Sequence, residues 1–337
     1  MMRTRMLIVG QYGLLAGLVL AALWILWTEL KPPLAAAAGP RRAVSISVTS
    51  LPGAGTTIGP FRLTSAVALT SPDKSFGGLS GLAALPDGRL LAITDAGDWL
   101  VMRPKGLGGS ASGEMGSIAM PGDDKTDRDA EAAALAPGGQ LLISLEQQHR
   151  ILRFAGHGPP LSPAGEPLYR TDTMGWPPNG GGEALAVLDD GSMVWIAESA
   201  PTADGAITAL FVAPGGSTRP ILIDPVAGFS PTDAVMLDDH RLLLLHRRYT
   251  GVESAAAITV VDLAPVLAGG NAAPARLLAR WGRGGDNASS WPVDNMEGLA
   301  IVRRPGRAPV LYLVSDDNFS PAQRTLLLQI EVIAPIN

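Results

Sequence analysis

A unit of about fifty residues recurs along this chain, and no other feature limits its fold so strongly. GLSGLAALPDGRLLAITD (78–95) aligns with DAEAAALAPGGQLLISLE (129–146) and with GGEALAVLDDGSMVWIAE (181–198). SPTDAVMLDDHRLLLLHR (230–247) and NMEGLAIVRRPGRAPVLYLVSD (295–316) complete the series, the last with a longer turn. Gly88, Gly139 and Gly191 hold the same turn position 51 and 52 residues apart, and His240 follows after 49 more. Each unit reads as a short strand, a tight turn, a second apolar strand, a polar loop and a third strand (WLVMR, RILRF, ALFVA, AITVVDL and TLLLQIEV). GSIAM, PLYRT, PILID and ARLLARW supply outer strands to the first four units. The composition agrees: Gly 40 and Pro 28 suit many turns and few helices.

A period near fifty with four strands per repeat predicts an all-β fold, a β-propeller of four-stranded blades. Five blades are expected. Six remain the alternative if residues 104–128 or 252–294 conceal an irregular one. The fifth unit lacks an outer strand, and FRLTSAVALT (61–70) stands unused before the first. That strand is expected to close the ring.

Ahead of the repeats, Arg3 and Arg5 precede an uncharged stretch from Met6 to Trp27, with Trp24 and Trp27 at its far end. That length suits a membrane-crossing helix with arginines on the cytoplasmic side. LAAAAG (34–39) also offers the small residues that a signal peptidase accepts. Residues 1–31 are therefore expected to be a signal anchor or a cleaved signal peptide, 32–58 a tether, and 59–337 the propeller. The propeller is then expected on the periplasmic side, anchored in the inner membrane or secreted.

Of 26 basic and 31 acidic residues, five basic and one acidic fall within 1–42, so the exported part carries 21 against 30, a net of −9. No basic patch with interleaved aromatics is present, which argues against nucleic acid. With no cysteine, disulfides, thiolate metal sites and a cysteine nucleophile are excluded.

The start of a first strand and the end of a second meet on one rim. The first-strand row is Ser80, Glu131, Glu183, Thr232 (beside Asp233) and Glu297; the second is Asp95, Glu146, Glu198, Arg247 and Asp316. Crowded carboxylates raise one another's pKa unless a cation or a basic side chain offsets them. Asp95, Glu131, Glu146, Glu183, Glu198, Glu297 and Asp316 are thus candidate ligands of a hard divalent cation, Ca²⁺ above all. His246, Arg247 and Arg248 are candidates for binding an anionic group. Independent turn capping would explain any one acid equally well. DDKTDRDAE (123–131) lacks the EF-hand spacing, and the four histidines form no zinc pair. GLSGL around Ser80 is not a nucleophile elbow.

DAE (129–131), NGGGEALA (179–186), DNMEGLA (294–300), LVSDDNF (313–319) and QRTLLL (323–328) together resemble the phytase-like, "esterase-like activity of phytase" family of exported bacterial proteins. The resemblance implies a propeller hydrolysing phosphoesters or carboxylic esters, and it assigns no catalytic residue. A cation on the rim would activate water, with a carboxylate or His246 as general base. The competing expectation is a non-enzymatic propeller binding a ligand or protein at the cell envelope.

Overall fold

A computed structural model describes residues 40–104, 109–120, 125–156, 158–159, 161, 166–171, 174–250, 253–282 and 291–336. The expected anchor or signal segment, 1–31, lies outside them. Among the described residues no helix is long and apolar enough to cross a membrane.

Strands β1 (Arg42–Ser50), β2 (Thr57–Ile58) and β3 (Phe61–Thr70) come first. The first repeat forms β4 (Leu79–Ala84), β5 (Leu90–Thr94), β6 (Asp98–Met102) and β7 (Gly109–Ser117), and the second β8 (Ala130–Leu135), β9 (Leu141–Leu145), β10 (Arg150–Phe154) and β11 (Glu166–Arg170). The third comprises β12 (Gly182–Val187), β13 (Met193–Ala197), β14 (Ile207–Val212) and β15 (Thr218–Ile223). In the fourth, β16 (Ser230–Met236), β17 (Arg241–Tyr249) and β18 (Ser254–Asp262) are followed by a helical turn at Ala264–Leu267, the short β19 (Ala272–Ala273) and the outer β20 (Ala275–Gly282). The fifth has β21 (Asn295–Val302), β22 (Val310–Asp316) and β23 (Thr325–Val332). Among the described residues the fold is all-β with almost no helix, as the repeat implies.

Each unit is an antiparallel meander, and β3 pairs with β23 as the outer strand of the fifth. The segment left spare before the repeats thus joins the last unit to the start of the chain. First strands touch in the cycle β4, β8, β12, β16, β21 and back to β4. Hydrophobic clusters fill the gaps between successive units. Leu91, Ile93 and Trp99 of the first unit meet Leu141, Ile143 and Phe154 of the second, while Leu90, Ala92 and Leu100 meet Tyr312, Val314 and Leu327 of the fifth. Adjacent residues of one second strand thus enter different cores. This explains why these strands are apolar throughout rather than alternating: both faces of each sheet are covered.

Two segments differ from expectation. Residues 42–58, expected within a tether, include β1, which pairs with β3 on one side and β7 on the other. Its VSISV alternation buries Val44, Ile46 and Val48 between the first and fifth units, and that periodicity outweighs a composition typical of linkers. The outer strand of the first unit is Gly109–Ser117 rather than GSIAM. Ile118 and Met120 fill the core between the first two units instead. Gly116 suits the strand because a Cβ there would lie 2.7 Å from the Trp99 ring.

Candidate acidic site at the end of the ring

All five first strands carry a β-bulge at the same level. Register skips between Leu79 and Gly81, Ala130 and Ala132, Gly182 and Ala184, Pro231 and Asp233, and Met296 and Gly298. The residues left out of the ladders are Ser80, Glu131, Glu183, Thr232 and Glu297, the entire first row. A bulge bends its strand and re-aims the extra side chain, and here Ser80, Glu131, Glu183 and Glu297 all line one cavity. Hydroxyls of the preceding unit tie down the bulges that carry glutamate. Ser80 Oγ donates to Ala130 O at 2.5 Å, Ser144 Oγ to Gly182 O at 2.6 Å and Thr232 Oγ1 to Met296 O at 3.1 Å. Each carbonyl belongs to the residue immediately before a glutamate.

The second row sits at the ends of the second strands on the same rim. A cavity of about 450 Å³ opens there, lined by Ser80, Asp95, Glu131, Glu183, Arg247, Tyr249, Asn295, Glu297, Asp316, Asn318 and Gln323. Five carboxyl groups and one guanidinium therefore face a single space. Arg247 is committed to the protein's own oxygens: it donates to Glu198 Oε1 at 2.6 Å and to Asn295 Oδ1 at 3.0 Å. Its Nε lies 2.9 Å from Glu297 Oε1 in an ion pair without hydrogen-bond alignment.

Charge crowding and burial act together on the acids. Burial, reinforced by neighbouring carboxylates, holds Glu131 and Glu183 well above the usual carboxylate range. Glu297 is pushed up to about 8, chiefly by burial, against the downward pull of Arg247. Asp316 is raised to about 6 by burial, offset in part by the Asn318 amide that it accepts at 2.6 Å. Glu146 is also raised by burial, and hydrogen bonds to Glu183 and the Gly180 amide counteract that shift.

Not every predicted residue reaches the cavity. Glu146 and Glu198 stand behind its wall, one against Glu183 and the Gly180 amide, the other against Arg247. His246 is fully buried, its Nε2 2.9 Å from Thr259 Oγ1, and burial lowers its pKa to about 3. It therefore neither faces the rim nor titrates near neutral pH. Arg248 packs over the Phe229 ring at 5.1 Å, away from the cavity. Strand alternation explains both corrections, since neighbours of Arg247 on β17 point to opposite faces. The same period would have pointed to Tyr249, two residues on, which lines the cavity. Gln323, the first residue of QRTLLL, also lines it, brought there by the fold of the loop after β22.

Three acids fit a cation. Ligand oxygens of Asp129, Glu131 and Glu146 lie within 4.8 Å of one another, and an all-carboxylate donor set suits Ca²⁺ or Mg²⁺ rather than zinc. Asp233, next to the bulged Thr232, is buried. Its carboxylate accepts the amides of Ala234 at 2.8 Å and Leu299 at 2.7 Å, and also bonds the Leu82 backbone, so that one side chain joins three units. The loop SDDNF closes the rim between the fifth and first units. Asp317 Oδ1 accepts Gly78 N at 3.0 Å and Phe319 N at 3.1 Å, and its Oδ2 accepts Thr325 Oγ1 at 2.9 Å. Gly78 has φ +61°, and a Cβ there would lie 2.5 Å from both Asp95 Oδ1 and the Phe319 ring.

This fold and rim agree with a sequence match. A family model described as "Phytase-like: Esterase-like activity of phytase" matches residues 74–319, from the loop before β4 to the end of SDDNF. The chain belongs to this phytase-like family. No curated protein matches it. Among solved structures, a virginiamycin B lyase from Staphylococcus aureus is 10% identical, with 87% of this chain and 100% of that chain covered and a TM-score of 0.43. A gluconolactonase from Xanthomonas campestris is 12% identical over 84% and 98%, with a TM-score of 0.44. The PQQ domain of a pyranose dehydrogenase from Coprinopsis cinerea is 11% identical over 86% and 97%, with a TM-score of 0.42. Likenesses this distant carry no argument about activity.

Proposed function

We propose that the chain is a five-bladed propeller that hydrolyses phosphoesters or carboxylic esters at the acidic cavity, using a bound divalent cation, Ca²⁺ above all. One observation carries this reading: of five bulged residues at one level, four line a single cavity, and three of those four are glutamates. Structural capping of five separate turns gives no reason for that convergence. Five units with cyclic first-strand contacts favour five blades over six.

Asp129, Glu131 and Glu146 would hold the cation, which when bound supplies Lewis acidity toward the ester oxygen. Glu297 and Asp316 divide the proton work. With a pKa of about 8, Glu297 is largely protonated at neutral pH and can donate to the leaving oxygen. Asp316, at about 6, is largely ionised there and can accept a proton from attacking water. Arg247 keeps Glu198 and Glu297 in place and is not free to clamp a substrate anion. Its commitment to the protein also suits the second reading, a binding propeller at the cell envelope. Residues 1–31 would anchor the chain in the inner membrane with the propeller outside the cytoplasm, or release it if cleaved.

The test is metal content after purification, then hydrolysis of p-nitrophenyl phosphate and p-nitrophenyl esters with Ca²⁺, with Mg²⁺ and with EDTA. Activity that EDTA abolishes, and that Glu131→Gln and Glu297→Gln both reduce, supports the proposal. Hydrolysis indifferent to Glu183→Gln and Glu297→Gln would remove the rim from the mechanism. No hydrolysis with any metal favours the binding class.

A further inference from the structure

We infer that the face carrying the acidic mouth lies against the membrane surface, with Tyr249 and Phe319 seated at the level of the lipid headgroups. This rests on the anchored reading of residues 1–31. The direction in which the chain enters the ring carries the argument. β1 runs antiparallel to β7, with Arg42 opposite Met115 and Val48 opposite Gly109. Since β7 ends at Ser117, opposite Asp98 just beyond the Asp95 turn, β1 descends from the acidic rim toward the opposite end. The chain therefore enters β1 on the side of the acidic mouth. Arg42 itself is held there, its Nε 2.8 Å from Asp73 Oδ2 in the loop leading to β4.

Length limits the alternatives. Ten residues, 32–41, separate the expected anchor from β1, and fully extended they reach at most about 35 Å. To bring the opposite rim to the bilayer they would have to run back alongside the nine-residue β1, about 30 Å. Almost none of their reach would remain. Approach by the acidic face needs no such detour.

The surface of that face agrees. Six large apolar side chains are exposed among the described residues, and the two aromatic ones belong to this face: Tyr249, 55% exposed, lines the cavity, and Phe319, 47% exposed, lies beside Gly78 in the rim loop. Leu168 and Leu277 lie on outer strands instead. Aromatic side chains with one wet edge favour the bilayer interface. Asn318 and Phe319 have φ of 49° and 50°, a left-handed conformation that asparagine tolerates and phenylalanine rarely adopts. The Asp317 hydrogen bonds to Gly78, Phe319 and Thr325 hold the loop in this conformation. Strain of this kind persists where the fold enforces it, and here it keeps an aromatic ring in solvent. Lys74 is exposed on the same side, while Arg41 is paired with Glu114.

Because the chain has no cysteine, single-cysteine labelling of the full chain tests this directly. Phe319→Cys and Tyr249→Cys place an environment-sensitive fluorophore on the acidic face; Asp87→Cys and Asp239→Cys place it on the turns of the opposite face. Each protein is reconstituted in phosphatidylethanolamine/phosphatidylglycerol vesicles containing a lipid with a nitroxide headgroup. Loss of emission at 319 and 249, with 87 and 239 unaffected, supports the inference. Vesicle-bound protein with 319 and 249 unquenched, or with 87 and 239 quenched, overturns it and leaves the anchor reading intact. Mature protein recovered from cells free of membranes overturns both.

Discussion

Glu297 should make this protein less stable as the pH rises through neutrality, the reverse of the usual behaviour of a carboxylate. An acid whose folded pKa is raised binds more protons folded than unfolded, so its contribution is full below the unfolded value and is lost as the pH rises to the folded one. For Glu297 that window runs from its ordinary 4.5 to about 8. Each pH unit inside it removes roughly 1.4 kcal/mol, so the interval from pH 5 to 8 removes about 4 kcal/mol. Asp316 acts in the same direction, but only between 3.8 and about 6. Glu297→Gln keeps the shape and removes the titration. The assay is urea unfolding of wild type and variant from pH 5 to 9 in EDTA, read as the difference between the two stability curves, in which titrating groups remote from Glu297 cancel. The variant should gain on the wild type by about 4 kcal/mol between pH 5 and 8, and Ca²⁺ should shrink the gap by replacing the proton as countercharge. A difference curve that is flat across this range would refute the buried, proton-holding state of Glu297.

Arg247→Gln leaves Glu198 and Glu297 without their shared cation; with the guanidinium 26% exposed, the loss should be about 2–4 kcal/mol, greatest above pH 8 and smallest near pH 5 by urea unfolding. Asp233→Ala strands buried amides of Ala234 and Leu299, and at about 1–3 kcal/mol each the cost should be about 2–6 kcal/mol, with faster hydrogen exchange at both amides. Ser144→Ala removes the donor to Gly182 O and the acceptor of Trp195 Nε1, which should cost about 1–2 kcal/mol in thermal unfolding. Because Glu183 hydrogen-bonds the proposed cation ligand Glu146, cation affinity measured by calorimetry should fall as well, while Ser144→Thr retains it.

What the sequence disclosed depended on what repeats in it. The turn glycines gave the period, and the doubly buried second strands showed as unbroken apolar runs such as LLAIT and LLLL. Both signals are local, so the unit structure and the closing strand Phe61–Thr70 could be read. β1 was hidden because RAVSISVTS lies in a stretch whose Pro, Ala, Gly and Ser content resembles a linker, and only pairing with β3 and β7 decides its role. The outer strand Gly109–Ser117 was missed because glycine and serine carry no strand propensity. It forms because two neighbouring strands supply its hydrogen bonds.

The two rows of acids could be aligned from sequence, but the reason they share a cavity could not. In a regular strand a glutamate one residue from its ideal position would point into a core between units, where an unpaired carboxylate is very costly. The bulge removes this conflict. It lets the first strand keep Leu82, Leu185 and Leu299 buried while the extra residue stands outside the ladder. In the first and fourth units the extra residue is Ser80 or Thr232, and it ties the next unit's bulge; in the second, third and fifth it is a glutamate, and it faces the cavity. One backbone irregularity thus serves two purposes according to its side chain. A repeat under structural demand alone would settle on the hydroxyl in every unit, since it bonds its neighbour without a buried charge. Three glutamates whose burial and mutual repulsion disfavour their charged forms are therefore the strongest reason to look for a ligand at this rim.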